Sequence, residues 1–257
     1  MATILTKILD TLRDRGPVEL SKRAYRRSIS ARSLVSVKTM WYRLQGYPSV
    51  DDATELTTLP TSVLTHRINT DWIETSFPKE YSIQGGNWDR HAKPFETDPK
   101  YQYIRRYHED GAADDRAAIF PEWDKPVEHR KGYEQLYETI REHGYRTQNE
   151  LTDGGDLFDE INVCFGRDGT GIVKHGHHRV SIAKVLGIPE VQVYVRARHQ
   201  EWQQLRDETW QTDSFEDLST AARQHVGHPD MAAAVSFDSS QASPDDTHDT
   251  EMDKKFT

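Results

Sequence analysis

Between Glu160 and Arg198 the hydrophobic period changes from two to nearly four and back to two, which constrains the fold more than any other segment. Ile161, Val163 and Phe165 alternate with Asn162 and Cys164, the pattern of a strand. Asp168-Gly169 is a hairpin turn, and Ile172-Val173 belong to the returning strand. Lys174-His175-Gly176-His177-His178-Arg179 then leads into a helix whose apolar residues are Val180, Ile182, Ala183, Val185 and Leu186, ended by Gly187 and Pro189. Val191, Val193 and Val195, alternating with Gln192, Tyr194 and Arg196, make the next strand. The expected order is strand, strand, helix, strand, with the helix starting within a residue or two of His178.

The turn into that helix has the chemistry of an anion site. A helix N-terminus carries unpaired N–H groups and about half a positive charge, so anions settle there. Gly176 allows positive φ and close approach of a ligand to the backbone. Arg179 offers a planar fork suited to phosphate oxygens. His177 and His178 add donors whose charge is expected to vary near neutral pH, and Lys174 adds a cation from the hairpin end. Two other readings fit the same residues: a plain strand-to-helix turn with Arg179 paired to a carboxylate, and a metal held by His175, His177 and His178. The second needs adjacent histidines to converge on one ion, and no Cys or HxxxH pattern completes the shell.

The rest of the chain is expected to divide around this block. Residues 1–45 carry ten Lys/Arg against three Asp/Glu in two amphipathic stretches broken at Gly16-Pro17, a pattern suited to an anionic membrane surface or to a solvated helix. Residues 46–61 read as a polar linker and Ser62–Ile68 as a first strand. A domain over 62–223 contains an apparent insertion at 85–130, with a helix near Tyr101–Tyr107, and a helix over Gly132–Gly144. Ala, Ser, Asp and Thr dominate beyond Pro229, so 224–257 is expected to be a disordered acidic tail. The net charge of −9 argues against general nucleic-acid binding. Cys164, the one cysteine, suits a small buried thiol in a reducing cytoplasm. Only 35% of residues are apolar, with no run long enough to span a bilayer and no signal-like N-terminal stretch. The expected location is cytoplasmic, with peripheral contact at the inner membrane surface through residues 1–45.

The series strand, hairpin, Gly176-His177-His178-Arg179, helix, glycine, strand resembles the core of the ParB/sulfiredoxin-like superfamily, whose shared feature is a Gly-x-x-Arg turn. The resemblance covers roughly 62–199, interrupted at 85–130. It implies an α+β fold, a small mixed sheet with helices, and binding of a nucleotide, with ATP or CTP expected; a phosphotransfer function adds Mg2+ bridging its phosphates. Gly176 and Arg179 occupy the matching positions. His177 stands where sulfiredoxins carry their catalytic cysteine, so that activity is not implied. The short helical stretch after Trp202 leaves no room for the DNA-binding region of chromosome-partitioning members. Small-molecule kinases of the superfamily use a carboxylate base, for which Glu160 and Asp89 are the candidates here. The segments Gly86-Asn87-Trp88-Asp89 and Arg198-His199-Gln200-Glu201-Trp202 also resemble archaeal proteins associated with surface-glycan biosynthesis.

Two functions follow as expectations. One is phosphoryl transfer from a nucleotide to a small molecule or glycan precursor, with Glu160 or Asp89 taking the substrate proton. The other is a nucleotide-binding regulatory module without chemistry, acting with a membrane-associated partner.

Overall fold

The structure is a computed structural model that describes residues 56–68, 85–111, 126–151 and 160–235 other than 233. The basic segment 1–45 and the chain beyond 235 lie outside the described residues, so the membrane-surface reading and most of the predicted tail do too. The described residues form an α+β fold around one six-stranded mixed sheet. Its strands are β1 (Leu56–Pro60), β2 (Leu64–Arg67), β3 (Lys93–Pro94), β4 (Ile161–Phe165), β5 (Gly171–His175) and β6 (Glu190–Arg198), in the spatial order β1-β6-β4-β5-β2-β3. The helices are α1 (Pro99–Asp110), α2 (Pro126–His143), the short α3 (Gln148–Leu151), α4 (His177–Val185), α5 (Gln200–Gln211), α6 (Thr220–His225) and α7 (Pro229–Ala232).

The central block folds as its periodicity predicts. β4 and β5 are an antiparallel hairpin. Helix α4 carries the chain over β4, so that β6 returns parallel to it. Alternation distributes the side chains. Ile161, Val163, Phe165, Val173, Val191, Val193 and Val195 join Val180 and Ala183 of α4 in the main core, while Cys164, Ile172 and Ala197 pack with Ile68 and Trp88 in a second cluster. Cys164 is a free, buried thiol.

Four sequence expectations about boundaries need correction. The linker 46–61 extends too far: Leu56–Pro60 is an edge strand antiparallel to β6, where Pro60 is tolerated because an edge needs no N–H there. The predicted strand from Ser62 is shortened by a 3-10 turn, Thr61–Val63, whose Thr61 hydroxyl donates to the Ile188 carbonyl at 2.7 Å. The apparent insertion 85–130 is integral where it is described. Phe95 is buried in the main core, and Tyr103 and Ile104 of α1 pack with Tyr133, Tyr137 and Ile140 of α2 and Ile182 of α4. These aromatic residues recur at helical spacing, which is what orders the segment.

The fourth correction concerns 224–257. Helix α7 falls inside it, Met231 and Ala234 are buried, and the fully buried Asp230 accepts from Arg198 Nη2 at 2.6 Å, Arg198 Nε at 2.8 Å and Trp202 Nε1 at 2.8 Å. Its backbone carbonyl also accepts from Arg206 Nε at 2.7 Å. Polar composition misled here because one aspartate satisfies charges on the buried strand and helix that precede it.

Candidate anion-binding site

Strand β5 ends at His175, and the chain must reverse over the start of β4 to enter α4. Gly176 makes that reversal with φ 84° and ψ 22°. It also sits where a side chain is crowded: a Cβ would lie 3.0 Å from Ile161 Cγ1 and 3.1 Å from Ile161 Cα, so Ile161 would have to give way. Backbone conformation and close packing both favour glycine. The turn lines a cavity of about 630 Å3 with Lys174, His175, His177, His178 and Arg179 from the same segment, joined by Arg67, Lys100, Leu136 and Gln148. That volume falls within the range of small-molecule sites.

The lining is cationic. Arg67 comes from β2, Lys100 from α1, Lys174 from β5 and Arg179 from α4, and among the described residues no Asp or Glu lines the wall. Two carboxylates among the described residues are held behind its arginines. Asp98 is buried, caps α1 by accepting the Lys100 N–H at 2.8 Å, and pairs with Arg67 Nη1 at 2.8 Å. Glu160 is buried, accepts the Gln148 N–H at 2.6 Å, and lies 3.4 Å from Arg179 Nη1.

The histidines behave differently from the expectation that their charge varies near neutral pH. Burial depresses the His177 imidazole to about 4, against a smaller upward pull from its bond to Val173. Its Nε2–H donates to the Val173 carbonyl at 3.1 Å. Burial likewise depresses His178 to about 3, with neighbouring Lys100, His177, His129 and His175 adding to the effect. Its ring packs 4.5 Å from that of Tyr133. Both rings are neutral at pH 7 in this state, so the permanent charge of the site comes from the arginines and lysines.

Of the residues singled out in the sequence, Lys174, Gly176, His177, His178 and Arg179 line one cavity, with Glu160 behind its wall. Asp89 is elsewhere. It meets the chain beyond the far end of β4, a strand of five residues spanning roughly 17 Å. There it accepts from Arg167 Nε at 2.8 Å, Arg167 Nη2 at 2.9 Å and the Arg167 backbone N–H at 3.1 Å. Burial alone would raise its carboxyl, but the Arg167 bonds and nearby positive charge bring it down to about 2. A carboxylate so held is a poor proton acceptor, and Asp89 is removed from the candidate bases.

Asp89 instead belongs to an interlock between the two segments that drew attention for their motif-like sequence. The Gly86 carbonyl accepts from Arg167 Nη2 at 2.6 Å and from His199 Nε2 at 3.1 Å, and the Trp88 ring lies tilted beside that of His199 with centroids 6.0 Å apart. Trp202 lies against Gly169, where a Cβ would come within 2.5 Å of the indole. These residues brace the end of the sheet remote from the cavity.

Sequence reasoning missed Arg67, Lys100 and Gln148, which reach the cavity from other elements. Asp98-Pro99, an N-cap residue followed by proline, was a readable helix start that places Lys100 in the first turn. No local signal pointed to Arg67 or Gln148. Among the described residues no group of three or more His, Cys, Asp or Glu is arranged to hold a metal ion.

Comparison of the chain with protein-family models, with curated proteins and with solved structures found no match.

Proposed function

We propose that the cavity at the start of α4 binds a phosphate-bearing small molecule, a nucleotide such as ATP or CTP. One observation carries this reading: four cationic side chains from four separate elements line one cavity with a glycine turn at a helix N-terminus, and among the described residues no carboxylate lines it. Arg67 and Arg179 each contact a buried carboxylate from behind, and a phosphate in the cavity would add charge-assisted bonds to side chains already held in place. The Gly-x-x-Arg turn between a β-hairpin and a helix is what supports placing the chain beside the ParB/sulfiredoxin-like proteins.

Within this reading the residues have distinct parts. Arg179 and the N–H groups after Gly176 bind one phosphate, Lys174 neutralises charge from the floor, and neutral His177 and His178 shape the wall. The residues do not fit a protein-held magnesium ion, because Asp98 and Glu160 are each engaged by an arginine and a backbone N–H. No step is therefore derived through a metal.

Phosphoryl transfer would require Glu160 to take the proton of a substrate hydroxyl. The hydrogen bond from Gln148 and the contact with Arg179 instead favour the second reading, a binding module without chemistry. A thermal-shift screen with ATP, CTP, GTP and their diphosphates, with and without magnesium, tests the binding. A stabilising nucleotide is expected, and no shift with any would refute it. Following that nucleotide with wild type and Glu160→Gln then separates the readings: transfer predicts turnover abolished with binding kept, and a binding module predicts no turnover in either.

A further inference from the structure

Strand β4 lies between two partners, each of which carries one residue more than it does over the same interval. On the β5 side Asn162 is in register with His175 and Val163 with Val173, so Lys174 has no counterpart on β4. On the β6 side Val163 is in register with Val195 and Cys164 with Ala197, so Arg196 has none. Both extra residues are cations, and bulges of this kind re-aim a side chain, often beside a site. Lys174 lines the cavity, whereas Arg196 is not one of the described residues that do.

Arg196 is buried and reaches β4 at Asn162, the one amide in a strand otherwise made of Ile161, Val163, Cys164 and Phe165. A buried amide is costly unless its oxygen and its nitrogen are both bonded. Here the oxygen accepts from Arg196 Nη1 at 3.0 Å, and the nitrogen donates to the Glu160 carbonyl at 2.6 Å. That carbonyl belongs to the planar peptide unit joining Glu160 to Ile161. Ile161 packs beside Gly176, and the Glu160 carboxylate lies 3.4 Å from Arg179 Nη1. Fixing the plane of this peptide therefore fixes where Glu160 leaves the backbone, and with it the support of Arg179. Holding a flexible arginine in place before the ligand arrives lowers the entropy lost on binding.

We infer that Asn162 and Arg196 are positioning residues of the anion site, acting on the ligand through the Glu160 peptide and Arg179. The relay runs from the extra residue of β6, across β4, to the first turn of α4, and every bond in it is made by a buried residue of the sheet or its end. This rests on the phosphate reading and goes beyond it, since it assigns control of the site to two residues outside the wall.

Calorimetry with tripolyphosphate at matched salt tests it on wild type, Asn162→Ala, Arg196→Ala, Arg196→Lys and Arg179→Ala, and on Asn162→Ala combined with Arg179→Ala or with Arg196→Ala. Asn162→Ala and Arg196→Ala should each weaken binding about five- to tenfold, the effect of one lost hydrogen bond. Arg196→Lys keeps a donor for Asn162 and should recover most of that loss. On either alanine background Asn162→Ala should cost at most about twofold more, because the relay it belongs to is already broken. A general loosening of the fold, or a direct effect of the Arg196 charge on the anion, would instead add in full on those backgrounds and overturn the inference. Binding lost in Arg179→Ala but unchanged in Asn162→Ala would overturn the positioning role alone. No binding by wild type would overturn the phosphate reading itself. Circular dichroism of each variant separates lost affinity from lost fold, and if Asn162→Ala does not fold, the contrast between Arg196→Ala and Arg196→Lys carries the test, equal losses in the two overturning the relay.

Discussion

Replacing Gly176 by alanine tests how the turn is made. At φ 84° an L-residue meets the left-handed penalty, roughly 1–2 kcal/mol. The added Cβ would lie 3.0 Å from Ile161 Cγ1 and 3.1 Å from its Cα, so β4 or the turn must shift. Overpacking of that kind costs roughly 1–3 kcal/mol, for a total of about 2–5 kcal/mol. Gly187, which ends α4, is the internal control. Its φ is 66°, but a Cβ there meets nothing within 4 Å, so Gly187→Ala should cost only the backbone part, about 1–2 kcal/mol. Urea denaturation followed by tryptophan fluorescence measures both. Domains of this size have about 5–15 kcal/mol to lose, so both variants should still fold. Because a shifted turn misaligns the α4 N–H groups, Gly176→Ala should also lose phosphate affinity and Gly187→Ala should not. Equal destabilisation by the two substitutions would refute the argument that Ile161 occupies the space beside the turn.

Asp230→Ala should destabilise the protein by about 3–5 kcal/mol in urea, because it leaves the buried Arg198 and Arg206 without their shared carboxylate; a change below 1 kcal/mol would restore the reading of this segment as a tail. Asp89→Asn should lower the melting temperature while leaving affinity for tripolyphosphate within about twofold, since it loosens the Arg167 interlock and not the cavity; a tenfold loss of affinity would return Asp89 to the site. Stability should fall as pH drops from about 6.5 to about 4. His177 and His178 are depressed in the folded state to about 4 and about 3, so the unfolded chain takes up their protons first. Each contributes at most about 1.4 kcal/mol per pH unit in that window. His177→Gln should remove one proton from the slope, and an unchanged slope would contradict the burial of that ring.

The local part of this structure was legible, and the non-local part was not. Ile161 to Phe165, Asp168-Gly169 and the valines of β6 announce themselves because strand periodicity and turn chemistry act over neighbouring residues. Gly176 was readable for the same reason: a glycine between a strand and a helix has few other uses. What fills the opposite wall is set by pairing between distant segments. Arg67 reaches the cavity because β2 pairs with β5, a contact more than a hundred residues apart along the chain. Glu160 was readable as a carboxylate near the turn, but nothing local distinguished it from Asp89, which the fold carries to the other end of β4. Asp230 was hidden among the acidic residues around it, since composition does not show which one meets a buried arginine. The histidines were misjudged because their ordinary titration range holds only in water, and burial against Tyr133 and the Val173 carbonyl removes it.

The central claim is that the Gly176–Arg179 turn binds phosphate, and calorimetry with tripolyphosphate on wild type, Arg179→Lys and Arg179→Ala measures it most directly. Arg179→Ala should lose about ten- to a hundredfold in affinity, the effect of removing a charge-assisted bond. Arg179→Lys should recover part of it, because an ammonium keeps the charge and still faces Glu160 but lacks the fork. Equal affinity for wild type and Arg179→Ala, with circular dichroism unchanged, would contradict the claim and leave Arg179 as the partner of Glu160 alone.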